Sequence, residues 1–170
     1  MTMALIETIE VGSGGAASIE FTSIPQDGVD LLCVFATRSD ATGSAEIVRF
    51  RLNGDSSSAY NYLYLRGNGS SVFTSSSSSQ SEGFPAYQPK STDTSNTFNN
   101  GQIYISNYTS TTNKSISTDA VEESNATEAF QLLTAQTYST SSAISSMLIF
   151  PLSDNFVEHS SASLYKITAD

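Results

Sequence analysis

The side chains with chemical potential in this sequence are mostly hydroxyls, and few groups beside them can activate one. His159 is the single histidine, within Val157-Glu-His-Ser-Ser161, and a Ser-His-Asp hydrolase would have to use it as the general base. No Gly-x-Ser-x-Gly elbow presents a nucleophile, so a hydrolase is the weakest of the functions considered, and no catalytic residue is assigned. Asp119, Glu122 and Glu123 lie close enough in sequence to attract a hard cation. Their spacing lacks the alternating oxygen ligands and fixed glycine of a calcium loop, so a solvated acidic corner is expected and neither metal nor cofactor is assigned. Gly12-Ser-Gly-Gly15 resembles a phosphate cradle only until the next residues are read: Ala17-Ser-Ile-Glu-Phe21 alternates like a strand, whereas a cradle needs the start of a helix. Cys33 is the only cysteine. It sits in the apolar run Val29 to Ala36, where a thiol behaves as a small buried hydrophobe and has no disulfide partner.

Recognition is better represented than catalysis. Tyr60, Tyr62 and Tyr64 alternate with Asn61, Leu63 and Leu65, so three phenols share one strand face at about 6.6–7 Å spacing. That is a stripe without a pocket, which suits a packed protein interface; phenols stacking on sugar rings is the alternative. Tyr104 and Tyr108 lie opposite Ile103 and Ile105 on the next candidate strand, and Phe84 and Tyr87 are among the few apolar residues of a Ser-rich stretch. These seven residues form the expected contact surface.

The elements that must position them all read as strands. Gly101 to Tyr108 and Lys114 to Val121 alternate with period two around the hydroxyl-rich connection 109–113, the signature of a central antiparallel hairpin. Further strands are expected at Leu5–Val11, Ala17–Phe21, Val29–Arg38, Glu46–Leu52, Tyr60–Leu65, Ala129–Tyr138, Ile144–Leu152 and Ala162–Thr168. Val29–Arg38, apolar on both faces, predicts a strand covered on both sides. Arg49 and Arg51 are expected to pair with carboxylates. From Gly67 to about Asn100 the alternation dissolves into Ser-rich sequence, predicting a long insertion loop. The expectation is an all-β, single-domain antiparallel β-sandwich of jelly-roll type over residues 1–170, with Val34, Phe35, Val48, Phe50, Ile103, Ile105, Ile144 and Leu148 in its core.

Composition narrows the partners. Seven Lys and Arg against 17 Asp and Glu give a formal charge of −10, which opposes phosphate-dominated binding and makes nucleic acid an improbable ligand. The first residues lack the basic and apolar regions of an export signal, and no run of 18 apolar residues occurs, so synthesis in a cytoplasm without membrane insertion is expected. Sequons at Asn68, Asn107, Asn113 and Asn125 follow from a composition rich in Asn, Ser and Thr, and glycosylation is not inferred.

Five segments, Ile6–Gln26, Arg49-Phe-Arg-Leu-Asn-Gly-Asp55, Ile103-Tyr-Ile-Ser-Asn-Tyr-Thr109, Lys114–Asn125 and Ala162-Ser-Leu-Tyr165, together span nearly the full length. Through them the chain resembles a family of small proteins of tailed bacteriophages of aquatic bacteria. The sequence departs from the family pattern at Arg51-Leu52, where a plainer Arg-Phe-Asn-Gly-Asp is expected, and at Lys166, which stands in place of a glycine. The resemblance implies a virion component assembled in the host cytoplasm. The expected role is a capsid decoration (cement) protein on the head exterior that binds the major capsid protein, and a trimer is expected; the alternative is a tail-fibre adhesin recognising host glycan.

Overall fold

Strict alternation decides the architecture. Where every second side chain is apolar, one strand face is driven out of water and the other stays wet, and the period of two is incompatible with a helix. The computed structural model describes residues 1–43, 46–125 and 129–169. Within them are β1 (Thr2–Glu10), β2 (Ile19–Phe21), β3 (Asp30–Ala36), β4 (Glu46–Leu52), β5 (Tyr60–Gly67), β6 (Val72–Gln80), β7 (Gly83–Gln88), β8 (Asn100–Ile105), β9 (Lys114–Glu123), β10 (Ala129–Tyr138), β11 (Met147–Pro151) and β12 (Ser161–Thr168). All pairings are antiparallel and form two sheets: eight strands in the order β1-β12-β3-β8-β9-β10-β5-β6, and four in the order β2-β11-β4-β7. This is the expected all-β sandwich with sheets of unequal width. The β8–β9 hairpin lies centrally in the larger one.

The core lies between the sheets. Leu31, Cys33 and Phe35 of β3, Ile103 and Ile105 of β8, and Ala162 and Leu164 of β12 face Val48, Phe50 and Leu52 of β4 and Met147 and Ile149 of β11. Two phenylalanines occupy space that glycines leave open across the ladder. Phe35 pairs with Gly101 and Phe50 with Gly83, and a Cβ added at Gly101 would come within 2.3 Å of the Phe35 ring. We therefore expect Gly101→Ala to cost about 1–3 kcal/mol in a urea melt through forced repacking. Burial also holds the Cys33 thiol protonated far above its ordinary range, so it should stay inert to Ellman's reagent in the folded protein and react promptly once unfolded.

Three expectations are corrected. The stretch 67–100 is not one loop, because β6 and β7 lie within it. Short turns remain at 68–71 and 81–82, and the longest remaining segment, residues 89–99, is fastened by Arg38, whose guanidinium donates to the carbonyls of Lys90 (2.6 Å), Asp93 (3.0 Å), Thr94 (2.7 Å) and Thr97 (3.1 Å). Arg38→Ala is expected to open 89–99 to limited proteolysis that leaves the parent protein intact. Second, Val34 and Leu148 are not core: Val34 is 38% exposed and Leu148 half-buried, because their neighbours Cys33, Phe35, Met147 and Ile149 take the inward positions. Third, the polar run Glu122-Glu-Ser-Asn-Ala126 predicts a turn after the second strand of the central hairpin, but Glu122 and Glu123 belong to β9; Ala126, and Thr127 of the Asn125 sequon, lie outside the described residues.

Candidate functional site

The aromatic residues singled out in the sequence divide by sheet face. Tyr60 is fully buried and is not a contact residue. Its ring stacks on Tyr138 with centroids 4.8 Å apart and meets Phe50 edge-on at 6.0 Å, while its hydroxyl accepts the Leu52 N–H at 2.9 Å. Burial raises the Tyr60 phenol pKa to about 12. Tyr108 is equally buried; its hydroxyl donates to the Pro25 carbonyl and accepts the Gly28 N–H. It follows Asn107, whose φ of +50° turns the chain and breaks the alternation that would have left Tyr108 beside Tyr104. Phe84 is buried too.

Tyr62 and Tyr64 do form the stripe that their spacing predicts, but the surface they pack on is part of the same chain. The larger sheet extends past the smaller one at β5, and β7 lies across it. There Phe84 meets Tyr62, Tyr64 and Tyr87 edge-on at 5.7, 5.5 and 5.4 Å. Such edge-to-face pairs are favourable beyond their area. The Arg66 guanidinium lies over Phe73, Tyr87 and Phe130 at 4.7–5.4 Å, and Arg49 lies over Phe84 at 5.2 Å. Arg51 and Arg49 both approach Glu82, at 2.8 and 3.9 Å, as expected of cations on this face.

The polar candidates do not converge. Asp119 and Glu123 point outward from β9 while Glu122 is buried on its other face, so the three carboxylates cannot share one ion. His159 Nδ1 sits 2.9 Å from Glu10 Oε1 on the exposed surface, and that hydrogen bond raises the imidazole pKa. The neighbouring Ser160 is buried, its hydroxyl bonded to the Arg38 carbonyl.

The outer face of the eight-stranded sheet remains, and of the seven aromatic candidates only Tyr104 belongs to it. One transverse row runs through direct cross-strand partners from edge to edge: Leu5, Tyr165, Leu32, Tyr104, Ser117, Ala135, Leu63 and Ser76. The row changes character along its length. On β1, β12 and β3 it is apolar. Leu5 (55% exposed) and Met3 (56%) on β1 adjoin half-buried Tyr165 and Ile167 on β12, and Leu32 and exposed Val34 on β3. This patch is where β3 was expected to be covered on its second face, and none of the described residues covers it.

On β8, β9, β10, β5 and β6 the same face hollows into an open trough of about 740 Å³ lined by Tyr104, Ser115, Ser117, Ala135, Leu63 and Ser76, with Asn61, Thr137, Ser78 and Ser106 at its margins. Small residues on β9 and β10 form the floor, and larger ones on β8 and β5 rise beside it. Tyr104 is anchored: its hydroxyl donates to Asp30, whose other oxygen accepts the Asn107 N–H at 2.8 Å. That bond raises the Tyr104 phenol pKa. Among the described residues no charged side chain lines the trough.

The patch and the trough adjoin at the Leu32–Tyr104 pair of β3 and β8. Their centres, on β12 and β10, are four strand steps apart, which at about 20–25° per step turns the face by roughly 80–100°. No protein-family model, curated protein or solved structure matches this chain.

Proposed function

We propose that this protein is a virion surface component of a tailed bacteriophage, a decoration protein that docks on the head exterior and stabilises it through protein contacts. The observation that carries the reading is the apolar patch of Met3, Leu5, Leu32, Val34, Tyr165 and Ile167 at one end of the larger sheet. It adjoins the β1 edge strand, so a partner has side chains and open backbone to bind together. An all-β body with a hydroxyl-rich surface suits a protein that stays exposed on a particle, and the resemblance to phage proteins supplies the particle. The major capsid protein is the partner.

The test is co-sedimentation of purified protein with heads that lack it, together with gold labelling of whole virions. Saturable binding to heads and label over the head are the expected results. Label confined to the tail tip would instead favour the adhesin reading, in which the trough meets the host.

A further inference from the structure

We infer that the trough on the outer face of β8, β9, β10, β5 and β6 is a binding site for a neutral hexopyranose oligosaccharide. This site is separate from the docking patch and does not rest on it.

Its size, about 740 Å³, falls within the range of ligand sites and is large for a gap between surface side chains. Five strands contribute to it, so at about 4.8 Å per strand it runs roughly 19 Å across the sheet, the shape of an extended chain of sugar rings. Its chemistry excludes the other ligand classes in turn. An anionic ligand would find no cation in the lining and a chain of formal charge −10 around it. A peptide strand binds by adding to a free sheet edge; β8, β9, β10 and β5 are each paired on both sides, and the one open edge, on β6 at the rim of the trough, directs its free backbone groups sideways in the plane of the sheet and not into the trough. What faces the trough is side-chain chemistry: the exposed hydroxyls of Ser76, Ser115, Ser117 and Thr137, each able to donate and accept. A sugar ring presents the same two-way hydroxyls along its rim and apolar C–H groups on its faces. Tyr104 and Leu63 supply apolar surface for those faces. Because Asp30 fixes the Tyr104 hydroxyl, the ring is oriented before any ligand arrives and loses little freedom on binding.

The test uses the full chain with maltohexaose, cellohexaose, mannohexaose and a sulfated heparin hexasaccharide as probes, read by calorimetry and by amide chemical shifts. At least one neutral probe is expected to bind and to shift Ser115, Ser117 and Ala135, with the heparin fragment silent. Ser117→Trp, which fills the floor from an exposed position, should lower affinity at least tenfold, and Tyr104→Ala should do the same. Leu5→Asp, in the docking patch, should leave sugar binding unchanged. Failure of all three neutral probes to bind, equal binding by the heparin fragment, or undiminished binding by Ser117→Trp would each overturn the proposal. Head binding by Ser117→Trp is measured alongside, so that loss of sugar recognition and loss of docking are told apart.

Discussion

Phe50→Ala lowers the free energy of unfolding by about 3–5 kcal/mol, the sum of lost burial and the cavity left behind. The magnitude lies at the upper end for a large-to-small change because the site has little means of collapse. Phe50 is fully buried, its ring fills the space above Gly83, where even a Cβ would come within 2.2 Å of it, and Tyr60 braces its other side. Tyr60 is itself held by its stack on Tyr138 and its bond to Leu52, so it cannot swing inward without breaking a buried hydrogen bond. The measurement is a urea melt followed by circular dichroism. A loss under about 1 kcal/mol would mean that the core relaxes around the gap, contrary to the packing described.

On the proposed docking mode, Leu5→Asp weakens head binding by about tenfold or more, the 1.4 kcal/mol or greater that loss of a central apolar contact brings. Leu5 is half-exposed on an edge strand and contributes little to the fold, so a carboxylate there is tolerated in the free protein. In the docked state the same carboxylate would be buried against apolar neighbours Tyr165 and Leu32 with no cation to meet it. The melt of the variant should match that of the parent within about 0.5 kcal/mol. Unchanged co-sedimentation with heads would move the docking surface elsewhere.

The elements were legible in the sequence wherever side chains alternate. The expected strands were found, and Phe35, Val48, Phe50, Ile103, Ile105 and Ile144 are buried as their spacing requires. The two strands that were missed fail for different reasons. β6 contains the run Ser75 to Ser79 and is almost wholly exposed, so no apolar alternation marks it; its backbone pairing with β5 holds it, and that leaves no trace in side-chain type. β7 carries Pro85, which argues against a strand unless it lies at a sheet edge, and the edge is where β7 lies.

The direction of the tyrosine stripe was illegible for a more general reason. Period two separates the faces of β5 without saying which is inside, and Tyr60-Tyr62-Tyr64 and Leu63-Leu65 are both apolar enough to be buried. The overlap of β7 decides it: Phe84 packs on Tyr62 and Tyr64, and Leu63 and Leu65 are left outside. The apolar patch did leave a signal, since β3 is apolar on both faces. Read as a doubly covered strand, it predicts a layer that the described residues do not supply. The trough has no signature in order along the chain, because Tyr104, Ser117, Ala135, Leu63 and Ser76 meet only through the register of five strands.

Docking through the β1–β12–β3 end of the larger sheet is tested most directly by a cryo-electron microscopy map of the intact particle with this chain fitted into it. The account predicts density on the head exterior, with Met3, Leu5, Val34, Tyr165 and Ile167 against the shell and the trough open to solvent. Density at the tail tip, or on the head with the trough pressed to the shell and the apolar patch facing outward, would contradict it.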